Sequence, residues 1–216
     1  MDRVRDHIQS AWSRMSARQR FSDDGGAVIV EAALILPLLV MIMAGTFDFG
    51  VGFRNRITMQ GAVRNAARSA AVLGPDVTAD KFALSTLAAG LSGLNSSVLQ
   101  RAVIFQTSNT GSISLNCSAT LSPSPTGAGD ISAGAKCNVY GLTQMQSLGS
   151  FVQAGAGCAV GWDKYWCPST RNNLLTGPPD YLGVYLAVTY TPFTKMFKNS
   201  FTLTDKVVVR IEPQAG

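Results

Sequence analysis

The chain has 216 residues, with 18 Lys and Arg, 13 Asp and Glu, one histidine and a formal net charge of +5. That length allows one domain or two small ones, and so few charges require a core or a membrane to take much apolar surface out of water. The basic residues are scattered and do not interleave with aromatics, which excludes a nucleic-acid surface; and the one histidine, His7, lies near the N-terminus, so the rest of the chain has neither Ser-His-Asp nor Cys-His catalysis and little zinc chemistry.

Residues Met1–Gly26 form a polar leader containing Arg3, Arg5, Arg14, Arg18 and Arg20. Ala27 to Phe47 then reads AVIVEAALILPLLVMIMAGTF, in which Glu31 is the only ionisable side chain. A bilayer core of roughly 30 Å needs about 20 helical residues, so this segment is long enough to span it. A buried helix of a soluble domain is the bland alternative, but such helices seldom run this long without polar residues. A cleaved secretory signal fits poorly, because the leader is long, the apolar run exceeds a signal core and no A-x-A-like site follows. The arginines before the run, with Arg54, Arg56, Arg64 and Arg68 after it, read as membrane-surface anchors. Phe47, Phe49 and Phe53 suit an interfacial aromatic belt. Pro37 would cost about 3 kcal/mol in a soluble helix interior. Within a membrane helix it is tolerated, usually as a kink.

The junction Asp23-Asp24-Gly25-Gly26-Ala27-Val28-Ile29-Val30-Glu31 has a polar leader ending in Gly, then an apolar helix with a glutamate as the fifth residue. It resembles the processing site of type IV pilin-like proteins. Gly26 through Pro37, the motif Gly45-Thr46-Phe47-Asp48-Phe49-Gly50 and the Ala/Arg helix Gln60–Ala71 are similar to the TadE-like family, the minor pseudopilins of tight-adherence (Tad, or Flp) pilus systems. Val188-Thr189-Tyr190-Thr191-Pro192-Phe193 and the run Val207–Pro213 resemble that family more weakly. One departure is Ala32, where the family often has an aromatic. The resemblance implies cleavage between Gly26 and Ala27 by a prepilin peptidase, with the N-terminus in the cytoplasm. It also implies partners among other pilin, pseudopilin and pilus-assembly subunits.

Glu31 has a physical meaning of its own. A carboxylate inside a membrane segment costs roughly 2.5–3.5 kcal/mol on insertion scales. Cleavage after Gly26 would place the new α-amine of Ala27 about one helical turn away, in this subunit or a neighbour, where it can neutralise the charge. The rival is a carboxylate that snorkels to water at the cytoplasmic interface.

Val51–Leu73 continues as helix until Gly74-Pro75 ends it. Met59, Ala62, Val63, Ala66, Ala70 and Leu73 share one face, small enough for a partner surface to approach closely, with Arg54, Arg64 and Arg68 roughly opposite. Ala79–Leu91 is a second amphipathic helix, with Phe82, Leu84, Leu87 and Leu91 apolar. Short β-like runs follow at Ala102–Gln106, Ser112–Cys117, Tyr181–Tyr190 and Lys206–Ile211. A short helix is expected over Leu142–Val152, and Gly177-Pro178-Pro179 punctuates the chain before a last hairpin. Leu121–Ala135, rich in Ser, Pro, Gly and Ala, is expected as an exposed loop; Asp130–Gly134 within it has part of a metal-binding D-x-S-x-S pattern but lacks the second Ser. The fold class is α+β: a long N-terminal helix, first membrane-spanning and then domain-packed, against a small antiparallel sheet.

Cys117, Cys137, Cys158 and Cys167 make an even set. Among three possible pairings, Cys117–Cys137 and Cys158–Cys167 are preferred because each closes a loop with little structure of its own. The absence of C-x-x-C spacing and of a downstream His argues against a metal site. Asp163 and Asp180 are isolated carboxylates and form no catalytic constellation.

The expected organisation is a cytoplasmic leader (1–26), a transmembrane helix (27–49) in lipid and an exported domain (50–216), in a single-pass protein of the bacterial inner membrane. The expected role is structural, with no catalytic residue, metal or cofactor: a minor pseudopilin-like subunit. The alternative is a membrane-tethered extracytoplasmic binding module that keeps its leader.

Overall fold

The structure, a computed structural model, describes residues 24–94, 97–112, 117, 136–151, 163, 165–174, 177–195 and 199–213. Most of the leader, Cys158 and the loop at Leu121–Ala135, with Asp130–Gly134 in it, lie outside these residues. The chain divides into two compact units, Met1–Phe47 and Asp48–Gly216.

Helix α1 (Asp24–Leu73) is a single element of 50 residues, with Pro37 inside it. In the first unit its apolar side chains from Val28 to Met43 are exposed. From Asp48 onward a stripe at helical spacing is buried: Asp48, Asn55, Met59, Ala62, Val63, Ala66, Ala67, Ala70 and Ala71. Arg54, Arg64 and Arg68 are exposed, as the periodicity predicts, while Leu73 is only partly buried. Gly74 ends the helix in a left-handed conformation (φ +54°), donating its N–H to the Ala70 carbonyl at 3.0 Å.

Helix α2 (Ala79–Leu91) buries Leu84 and Leu87. Phe82, expected on the same face, is exposed: two residues before Leu84 it lies about 200° away around the helix. Strands β1 (Ser97–Thr107), β2 (Cys137–Tyr140), β3 (Tyr181–Tyr190) and β4 (Phe201–Arg210) form one antiparallel sheet in the order β2-β1-β3-β4. Helix α3 (Leu142–Gln146) and the 3-10 turn Leu148–Ser150 occupy the expected short helical stretch.

β1 and β4 are longer than their apolar runs, because pairing with β3 continues through polar residues such as Arg101 and Thr204. β2, four residues long, carries too short an apolar run to stand out in the sequence. Of the β run expected at Ser112–Cys117, residues 113–116 lie outside the description, Ser112 is in no strand and Cys117 is helical.

The sheet alternates as a two-faced sheet must. Ala102, Ile104, Tyr140, Leu182, Val184, Leu186 and Val188 join the buried stripe of α1 and the leucines of α2 in the main core. Val103, Phe105, Cys137 and Val139 point the other way, into a smaller cluster with Cys117. Phe105 sits opposite Gly183 in the ladder, and a Cβ there would fall 2.2 Å from the ring, so only glycine admits the aromatic.

Candidate assembly site

Gly26, Ala27 and Glu31 lie on the first turns of α1 and are exposed. Nothing comes within 4 Å of where a Gly26 side chain would begin. Ala27 and Glu31 are four residues apart and so share a helix face. Among the described residues Glu31 has no ion-pair partner. The exposed surface that follows, including Val28, Leu34, Leu36, Met41 and Met43, makes the segment a candidate membrane span by length and composition. Thr46 returns its hydroxyl to the Ile42 carbonyl at 2.8 Å, which hides that polar group within the helix.

At Asp48 the helix acquires a polar clamp. The Asp48 carboxylate, 8% exposed as a residue, accepts the backbone N–H of Phe193 at 3.0 Å and that of Thr194 at 3.2 Å, together with the Thr194 hydroxyl. The Tyr190 hydroxyl donates to the Asp48 carbonyl at 3.3 Å. A side chain at Gly52 would begin 3.4 Å from the Tyr190 ring, so the helix passes close beneath it. Two motifs about 140 residues apart in sequence, Gly45–Gly50 and Val188–Phe193, thus meet through Asp48. Each carries a pattern on its own, but their meeting is a product of the fold.

A second polar cluster lies where α2 meets β2. Asp80 is fully buried and accepts from Asn138 Nδ2 (2.8 Å), the Tyr140 hydroxyl (2.8 Å) and Arg171 (2.5 Å). Asn138 also exchanges two hydrogen bonds with the Trp166 backbone, at 2.9 and 3.0 Å. The Arg171 guanidinium stacks 4.3 Å over the Trp166 ring. Burial, then the Asp80 charge beside it, holds the Tyr140 phenol well above the ordinary tyrosine range. No sequence spacing marks this cluster, since its members come from α2, β2 and the 166–171 segment. Of the two carboxylates singled out in the sequence, Asp180 lies elsewhere and accepts from Gln106 at 2.7 Å and the Asn172 N–H at 2.9 Å, whereas Asp163 is fully buried and near enough to Tyr140 for its charge to raise the phenol further.

Cys117 and Cys137 form a disulfide, as the loop argument expects. Cys167 is disulfide-bonded, and Cys158 lies outside the described residues. Among the described residues no group of three His, Cys, Asp or Glu side chains could hold a metal ion. A groove of about 210 Å³ beside α2 and α3 is lined mainly by Leu91, Leu94, Leu99, Leu142, Met145 and Val188.

The exposed apolar helix, the Gly–Ala junction at its head and Asp48 at its far end fall within one stretch of sequence. Residues 26–68 match the family model described as TadE-like protein. The TadE-like segment runs from the junction glycine through the apolar span and the clamp aspartate to Arg68, and stops short of the Tyr181–Pro213 region. No curated protein and no solved structure gives a match to the chain. The match covers 43 of the 216 residues of the chain. The candidate membrane span is consistent with a membrane-anchored pilus protein.

Proposed function

We propose that this chain is a minor pseudopilin-like subunit for assembly of a Tad-type adhesion pilus or related secretion machine. It sits in the bacterial inner membrane with its N-terminus in the cytoplasm and its α+β domain outside. A prepilin peptidase cuts between Gly26 and Ala27, and the helix stays in the lipid. The apolar helix then associates laterally with other pilin-like subunits, and Glu31 pairs with an α-amine exposed by cleavage.

The observation that carries this reading is the bare apolar surface of α1 from Val28 to Met43, continuous in one helix with the domain's buried stripe. A soluble protein does not leave so large an apolar surface in water. The open surroundings of Gly26 and Ala27 suit an enzyme that must reach the peptide bond, and a helix end frays readily. Glu31 on the exposed face is free to meet a partner from another chain, which fixes register more than it adds stability.

The test is the intact mass of membrane-extracted protein made with and without a prepilin peptidase. Loss of Met1–Gly26 is expected with the peptidase, and Gly26→Ala should abolish it. Because nothing crowds Gly26, that substitution leaves the fold unchanged and a block reports on the peptidase alone. Glu31→Gln should be cut normally yet be recovered less with partner subunits. A full-length mass in every sample would overturn processing at this site. It would leave the tethered binding module, with the apolar groove by α2 as its ligand site.

A further inference from the structure

The turn between β3 and β4 is held against α1 at the level where the apolar span ends. We propose that Thr191–Lys195 is a second membrane anchor, seated in the phospholipid interface by Asp48. The inference rests on the reading that α1 crosses a bilayer. If the span begins at Ala27, about 20 helical residues bring the chain to the opposite boundary near Phe47. Asp48 is the next residue, and its carboxylate takes its hydrogen bonds from Phe193 and Thr194. A carboxylate at that boundary is costly unless donors surround it, and these donors come from the turn itself. The clamp therefore fixes the turn at interfacial depth.

What the turn offers there suits lipid. Phe193 is 85% exposed, although its backbone is hydrogen-bonded and the preceding Pro192 is buried. Most of the Phe193 surface is thus open to the surroundings, where lipid can reach it. Lys195, two residues on, is exposed and has a left-handed backbone (φ +53°), so the turn is held in an uncommon shape. Phe49 and Phe53, stacked at 6.5 Å on the exposed side of α1, and the exposed Arg54 and Arg56 continue the same pairing of aromatics with cations. Aromatic rings at the headgroup level with Lys and Arg beside them are the signature of an interfacial belt. Here the belt includes a strand turn far away in sequence, which gives the domain a second point of attachment to the lipid.

The experiment uses the full chain in vesicles of phosphatidylethanolamine and phosphatidylglycerol. A photoreactive p-benzoylphenylalanine replaces Phe193, and in separate samples Ile42 in the span or Phe82 on α2. Adducts of phospholipid mass are expected at 193 and 42 and not at 82. Adding Asp48→Ala should abolish the adduct at 193 and spare that at 42. Thr194→Val, a milder change that removes only the hydroxyl donor, should reduce it and covers the case in which Asp48→Ala does not fold. Lipid adducts at 42 without any at 193 would overturn the anchor and leave the span standing. Adducts at neither would sink both. Cross-links from 193 to protein alone would make the turn a subunit interface and overturn the proposal.

Discussion

Asp80 and Arg171 are 91 residues apart in sequence and 2.5 Å apart in the fold, both side chains fully buried. A buried ion pair is weak evidence for net stability, since desolvation offsets most of the attraction. Breaking it is a different matter. Asp80→Ala would leave the Arg171 guanidinium uncompensated in the interior and take acceptors from Asn138 and Tyr140. The expected loss is about 3–5 kcal/mol, read as a lowered midpoint in denaturant. The double variant Asp80→Leu with Arg171→Met should recover much of that loss. If it does not, the cluster stabilises through its hydrogen bonds rather than through charge balance.

At the scale of elements, the packing of α2 on α1 is set by small side chains. A Cβ on Gly90 would fall 2.6 Å from the Cβ of Ala62 and 3.0 Å from its Cα. Gly90→Ala gains about 1 kcal/mol of helix propensity, but overpacking a fixed helix contact costs about 1–3 kcal/mol. Overpacking should win, and the variant should melt below the parent in thermal unfolding followed by circular dichroism. Gly61, on the exposed side of α1, meets nothing within 4 Å, so Gly61→Ala should melt higher by the propensity gain alone. Opposite signs from one chemical change would locate the helix contact. A rise at both positions would mean that the helices move apart freely.

For the whole molecule, covalent links reinforce a modest core. The Cys117–Cys137 bond closes a separation of 20 residues and packs its sulfurs with Val103, Phe105 and Val139. In the chain-entropy model that closure is worth about 3 kcal/mol, so Cys117→Ser with Cys137→Ser should lower stability by that order. Peptide mapping of the unreduced protein should recover Cys158 linked to Cys167, the pairing that loop closure favours. A peptide joining Cys158 to any other cysteine would overturn that pairing. Cys167 sits directly after Trp166, whose backbone and ring meet Asn138 and Arg171, so this link would brace the buried polar cluster as well.

Local patterns were enough to read the long helix, its apolar length, the exposed arginines, the Ala79–Leu91 helix and the β3 strand. Each is a periodicity or a run of one residue class, which a chain declares by itself. The Cys117–Cys137 link was legible for a similar reason, because loop closure depends mainly on separation along the chain. The short β2 strand, the outward turn of Phe82 and the polar ends of β1 and β4 were decided by pairing and packing with distant residues. The Asp48 clamp and the Asp80–Arg171 cluster belong wholly to the tertiary structure. A carboxylate's role depends on which donors reach it in three dimensions, and here those donors come from strands and turns that only the sheet brings near.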